Sequence, residues 1–153
     1  MCYAAVMDIN AFNPEDSFAT LLNKTTRALS TRLQYTFTNA GLDVTSEQWM
    51  ILLLLWQEDG RSSCQLADII GKDKAAVTRL IDGLEKRSLV IRVPSKSDLR
   101  QKHIRLTPQG KAMEQKLIPL GIANMEKAQA GLKQEELETC KTVLRKLYSN
   151  LST

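Results

Sequence analysis

Histidine is all but missing from this chain. His103 is the only one among 153 residues, and a lone imidazole leaves little for acid–base work near neutral pH. No nucleophile is placed with a base, the glycines are too scattered for a phosphate loop, and no His/Cys/Asp/Glu spacing suits a metal. The composition therefore points away from an enzyme and asks for no cofactor. Cysteine is scarce as well: Cys2, Cys64 and Cys140 are odd in number and widely spaced, which argues against a disulfide framework and fits a reducing cytoplasm. Long apolar runs are missing too. The most apolar stretch, residues 49–56, makes about two helical turns, well short of a membrane span. The N-terminus lacks the basic region and long apolar core of a secretory signal. A cytoplasmic protein with no membrane partner is expected, long enough to bury a core without disulfides or a structural metal.

What is present is a charge asymmetry. The net charge is only +4, yet residues 72–105 hold ten Lys and Arg against four Asp and Glu, leaving eleven basic and thirteen acidic residues elsewhere. A basic segment on a near-neutral body is the footprint of a phosphate-binding surface, or simply of a basic solvated face. The chain suits one domain, or one small domain with appended helices.

The periodicity divides the chain. Residues 1–16 have none and read as a flexible N-terminal arm. Phe18, Leu21, Leu22, Leu29, Leu33 and Phe37 fall at helical spacing, and Gly41 closes that helix. Thr45 and Gln48 form a capping box ahead of a stretch apolar on nearly all sides, the expected buried centre. Ser62 and Gln65 repeat the box before a short helix over 64–70, with Leu66, Ala67, Ile69 and Ile70 assigned inward. Gly71 suits a left-handed turn and Asp73 the next N-cap. The second helix of the pair runs over 74–87 with Val77, Leu80, Ile81 and Leu84 at core spacing. Two strand-like stretches, 89–93 and 102–106, flank a polar, basic tip. Thr107 and Pro108 then start a helix reaching towards Gly131, in which Pro119 and Gly121 predict a kink. Leu137, Cys140, Leu144, Leu147 and Leu151 make a heptad seam that wants a partner helix.

Helix, turn, helix, strand, basic loop, strand describes a winged helix-turn-helix within a mainly α fold carrying a small β-hairpin wing. The second helix is slim enough for the major groove of double-stranded DNA, and the hairpin tip reaches an adjacent groove. With the core positions turned inward, Lys74, Ala75, Ala76, Thr78 and Arg79 face out, with Lys72 just before them. Ser63 and Gln65, at the start of the preceding helix, complete the DNA-facing set. In the wing, Lys96, Arg100 and Lys102 supply charge. An arginine at such a tip can enter a narrow minor groove, and Asp98 is spaced to orient Arg100 by a bidentate bond. A winged-helix module meeting an acidic protein partner is the other reading of the same basic face.

The runs Leu66-Ala67-Asp68-Ile69-Ile70, Val77-Thr78-Arg79-Leu80-Ile81-Asp82, Asp98-Leu99-Arg100 and Leu106-Thr107-Pro108-Gln109-Gly110 resemble the MarR family of bacterial transcription regulators, over about residues 18–150. The resemblance implies a homodimer built from the first and last helices, so 17–44 and 108–153 become a helical dimerisation region and 45–107 the DNA-binding lobe. It also implies a pseudo-palindromic operator, repression more often than activation, and Arg100 as the minor-groove arginine with Asp98 orienting it. Ser88 departs from the family, which usually has glycine there; if the position needs φ > 0, Ser88 is strained.

Release from DNA, by the same resemblance, follows a small aromatic or anionic effector or cysteine oxidation. The first long helix, where the redox branch places its sensing cysteine, has none. Cys64, at a helix start, is the alternative thiol, although a structural role is favoured for it, and Cys140 on the seam reads as a small core residue. Tyr35, Trp49 and His103 are the effector-binding candidates.

Overall fold

The computed structural model describes residues 12–95 and 102–152. A 3₁₀ turn at Pro14–Asp16 leads into α1 (Phe18–Asn39) and α2 (Ser46–Gln57). Then come β1 (Arg61–Ser62), α3 (Ser63–Ile70), α4 (Lys74–Lys86), β2 (Val90–Pro94) and β3 (Lys102–Leu106). The chain finishes with α5 (Pro108–Ala112), α6 (Glu114–Gln129) and α7 (Gln134–Leu151). The architecture is the expected one, mainly helical with a small antiparallel sheet.

The described end of the N-terminal arm is more ordered than its composition suggests. Asn13 Oδ1 accepts from the Glu15 amide at 3.1 Å, and Pro14 supplies a preset φ for the first turn. Ser17 then caps α1, accepting from the Thr20 amide at 3.3 Å.

α2 is the centre of the core. Its capping box closes in both directions: the Gln48 amide donates to Thr45 Oγ1 and the Thr45 amide to Gln48 Oε1, each at 3.1 Å. Ile51, Leu52 and Leu55 are wholly buried, each contributing about 1.5–3 kcal/mol through transfer from water. Phe37 and Trp56 stand edge-on to Trp49, with ring centroids 5.6 and 5.7 Å away. Phe37 and Leu33 are the residues by which α1 joins this core.

The helix-turn-helix forms as its local signals require. Ser62 and Gln65 cap α3 reciprocally, Gly71 takes φ +71° at the turn, and Asp73 accepts from the Ala76 amide at 2.7 Å to start α4. Leu66 and Ala67 are buried, but Ile69, assigned inward, is 51% exposed. It lies about 200° around the helix from Ala67, on the opposite flank. Val77, Ile81 and Leu84 lock the inner face of α4, with Leu80 half-buried.

The sheet has the order β1-β3-β2, all antiparallel, with Val90 opposite Leu106, Arg92 opposite Ile104, and Ser62 opposite His103. β1 is an addition to the expected hairpin. It ties the residues before α3 directly to the wing. At the junction between α4 and β2, Ser88 has φ +58°, alone among the described non-glycine residues in being positive.

After the sheet, the expected single kinked helix is two. The break falls at Met113, between α5 and α6, and α6 runs unbroken through Pro119. The indole N–H of Trp56 donates to the Gly110 carbonyl at 3.0 Å, the group that a continuous helix would offer to Glu114, so the ladder is interrupted there. Gly121 serves close approach: a Cβ on it would stand 2.4 Å from Cζ2 of Trp49.

No residue of α7 is buried. Leu137, Leu144 and Leu147 are half-covered, Leu151 is 84% exposed, and Cys140, read as a core residue, is exposed in the single chain. Phe18, Leu21 and Leu22 of α1 and Ile122 and Met125 of α6 are exposed as well. Among the described residues no helix is long and apolar enough to cross a membrane.

Candidate nucleic-acid interface

α4 presents a polar, cationic face opposite its buried one. Lys74, Ala75, Thr78 and Arg79 are exposed, and Ala76 is half-buried beside the core residue Val77. Lys74 and Arg79 form no ion pair with any described residue, so both cations are available to an external anion. Thr78 Oγ1 donates to the Lys74 carbonyl at 2.8 Å, which fixes its rotamer and leaves its oxygen as an acceptor.

The surrounding candidates are more constrained. Lys72, in the turn, has its Nζ 2.6 Å from Glu47 Oε1 at the start of α2. Gln65 Oε1 accepts from the Ser62 amide at 2.8 Å, so only its amide donors are uncommitted. Ser63 is the half-buried first residue of α3. Lys102 is exposed at the start of β3. Lys96, Asp98 and Arg100 lie outside the described residues.

An ion-pair network that sequence reasoning passed over joins α4 to the wing. Arg92, on β2 with a side chain only 18% exposed, donates from Nη2 to Asp82 Oδ1 at 2.5 Å and from Nη1 to Glu85 Oε2. Its backbone amide also reaches Glu85 Oε1, at 3.3 Å. Asp82 and Glu85 stand one turn apart on one side of α4, which was visible in the sequence, but the cation between them comes from another element. The wing is braced at its other edge by Asp59, whose Oδ1 accepts from the Leu106 amide at 2.8 Å.

A second long-range pair holds the far end of α4. Arg87 donates from Nε and Nη2 to the two carboxylate oxygens of Asp43, at 2.7 and 3.0 Å, and from Nη1 to the Gly83 carbonyl at 2.8 Å. These hydrogen bonds hold the Asp43 carboxyl below the usual carboxylate range and raise Arg87 in turn. Elsewhere, Lys141 lowers Glu138 on α7 by hydrogen bond and charge.

The three effector candidates are not brought together. Tyr35 is 67% exposed and lines a shallow groove of about 480 Å³ on α1 with Ser30, Thr31 and Gln34. Trp49 is a core residue packed against Phe37, Trp56 and Gly121. His103 lies in the sheet with Nδ1 2.7 Å from the Gly60 carbonyl, a contact that requires the proton on Nδ1. Cys64 is exposed in the first turn of α3. Among the described residues no three His, Cys, Asp or Glu side chains converge as metal ligands would.

The chain matches the sequence model of the MarR family over residues 44–102, which spans α2 to the start of β3. The transcriptional regulator PA3341 is 31% identical in sequence, with 89% of this chain and 98% of that one covered and a TM-score of 0.76. A MarR-family regulator from Listeria monocytogenes, solved in complex with 26mer DNA, shares the fold at 21% identity, covering 88% and 89% of the two chains with a TM-score of 0.79. Bordetella bronchiseptica BpsR, whose DNA binding is regulated by 6-hydroxynicotinic acid, shares it at 22% identity over 90% and 96%, with a TM-score of 0.80. With the winged helix-turn-helix described above and these similarities, the chain belongs to the MarR family of transcriptional regulators.

Proposed function

We propose that this regulator binds double-stranded DNA as a homodimer in the cytoplasm, represses transcription from a pseudo-palindromic operator, and is released by a small effector. The observation that carries the reading is the outer face of α4. Lys74, Ala75, Thr78 and Arg79 are exposed on one side of a helix whose opposite side is anchored by Val77, Ile81 and Leu84. Side chains so placed can donate to phosphates and guanine edges, and the alanines allow close approach to a thymine methyl. In this reading 45–107 is the DNA-binding lobe, with Ser63, Gln65, Lys72 and Ala76 at its margins. Lys96, Asp98, Arg100 and Lys102 carry contact into an adjacent minor groove. The DNA complex of the Listeria relative lends support.

Homodimerisation, through 17–44 and 108–153, is supported by the uncovered apolar side chains of α1, α6 and α7. Leu137, Cys140, Leu144, Leu147 and Leu151 of α7 repeat at spacings of three and four, the geometry of a helix that packs against another. Effector release is supported by analogy with BpsR.

Selection of bound fragments from genomic DNA tests the reading. A shared, two-fold symmetric sequence is expected, and Arg79→Ala should weaken binding to it by about 1–3 kcal/mol. Recovery of no preferred fragment, together with an acidic protein partner retained on the basic face, would overturn it.

A further inference from the structure

The packing of α6 against α1 ends on a polar residue. Leu117, Gly121 and Asn124 form the buried face of α6, and Leu33 and Phe37 that of α1. Asn124 is 5% exposed. Its Nδ2 donates to the Leu29 carbonyl at 3.5 Å, a long bond to a group already engaged in the α1 ladder. Its Oδ1 is shielded from solvent and has no hydrogen-bond partner. Beyond this level no described residue of either helix is buried, and Phe18, Leu21 and Leu22 of α1 and Met125 of α6 are exposed. Asn124 therefore stands where the core of the single chain stops and the apolar surface left for assembly starts.

A buried carboxamide whose oxygen is unmet costs stability, and a leucine of similar size would fill the same space without that cost. What the amide supplies is a limit to depth. Leu117 is wholly buried and loses apolar burial if α6 slides outward along α1. A slide the other way carries Asn124 towards the apolar level of Leu33 and Trp49, away from the Leu29 carbonyl. The two residues oppose each other, and one register is left. With an apolar residue at 124 the buried face would run on into the exposed stretch, and neighbouring registers would pack almost as well. A single buried polar side chain selects the register of paired helices by the same physics.

We propose that Asn124 is a positioning residue that fixes the axial register of α6 on α1. Both helices belong to the region assigned above to dimerisation, and α1 also enters the core of the lobe through Leu33 and Phe37. Their register thus sets how each lobe is carried on the assembly, and hence the separation of the two α4 helices. In a dimeric DNA-binding protein that separation fixes the half-site spacing. The link to DNA rests on the homodimeric, DNA-binding reading above; the register does not.

The test is Asn124→Leu in the full chain, followed by urea unfolding at matched concentration and through ¹³C-labelled methionine methyl groups. The urea midpoint is expected to rise, because an unmet buried acceptor is removed. The Met125 methyl, one signal in the parent, should split or broaden as registers one helical turn apart, ~5 Å, become populated. Asn124→Ser keeps a polar group at the same depth and should retain the single signal. A lower midpoint for the leucine variant would mean that the amide is satisfied, and would overturn the proposal. A single sharp Met125 signal in that variant, or a serine variant that splits as leucine does, would overturn it equally. Duplexes carrying the selected operator with its half-sites moved apart by one base pair test the link to DNA. The leucine variant should discriminate against them severalfold less than the parent does. Equal discrimination would retain the register and refute its effect on spacing, while failure to recover any operator leaves the unfolding and methyl measurements to decide the register.

Discussion

Replacing Ser88 by glycine isolates a backbone conformation that the sequence chose against its own geometry. Ser88 sits at φ +58° between α4 and β2. Left-handed backbone costs an L-residue about 1–2 kcal/mol, because Cβ crowds the following carbonyl. Glycine escapes that cost but loses more freedom on folding, roughly 0.5–1 kcal/mol. The contacts at this residue belong to its backbone: the Ser88 amide donates to Glu85 O at 2.9 Å, and the Thr107 hydroxyl donates to Ser88 O at 2.6 Å. Both survive the change. The net expectation is stabilisation by about 0.5–1 kcal/mol, which for a chain of this size raises Tm by roughly 1–4 °C.

Urea and thermal unfolding of the two proteins at matched concentration is the assay, since assembly makes Tm depend on concentration. Ser88→Ala is the control. Alanine keeps the Cβ and therefore the strain, so it should stay within about 0.5 kcal/mol of the parent, as surface substitutions do. If glycine lowers Tm, or alanine gains as much as glycine, strain at this junction is not what separates them and the reasoning fails. A gain for glycine alone also implies that the angle between α4 and the wing is held at an energetic cost.

Three further outcomes are expected. The Lys72–Glu47 pair is partly exposed on both sides and contributes only about 0–1 kcal/mol to stability, but Glu47→Gln frees a cation beside α4. If Lys72 then contacts a phosphate, the slope of log K against log salt steepens by about 0.9; an unchanged slope removes Lys72 from the phosphate contacts. Gly121→Ala places a Cβ 2.4 Å from the Trp49 ring and should destabilise the fold by about 1–3 kcal/mol through overpacking; equal urea midpoints would refute the close approach. Because Arg87 lowers the Asp43 carboxyl, the pair contributes fully above the ordinary aspartate value of about 3.9 and is lost as pH falls through the lower folded value. The stability gap between the parent and Asp43→Asn should therefore be flat near neutrality and close on acidification, and a gap that widened in acid would reverse the assigned sign.

The features legible in the sequence are those whose partners sit within a few residues. Thr45 with Gln48, Ser62 with Gln65, Asp73 with the Ala76 amide, and Thr107 with the Gly110 amide are each three positions apart. Residue type and spacing alone specify them. The break at Met113 was hidden because its cause, the Trp56 indole on the Gly110 carbonyl, arrives from 54 residues away. β1 was hidden because two residues carry no periodicity, and only pairing with β3 makes them a strand. The different surroundings of the aromatic candidates were hidden for a related reason. Trp49 and Tyr35 are similar in a sequence, yet one is locked between rings and the other lies on the surface.

The same distinction governs the interface. The outward set on α4 could be read from helical spacing, because burial of Val77 and Ile81 dictates what must face away. How that face is aimed could not. Asp82 and Glu85 appear in the sequence as two carboxylates on a basic segment, an apparent disadvantage for a DNA-facing helix. Arg92 changes that reading: it pairs with both, offsetting one of their two charges, and braces β2 against α4. At the opposite end, Asp43 does the same for Arg87. Each pair removes charge from the count along the segment, so the cations left for DNA are fewer than the composition suggests. In the proposed DNA-binding mode Lys74 and Arg79 gain importance accordingly, while Asp82, Glu85 and Arg92 fix the geometry in which those two are presented.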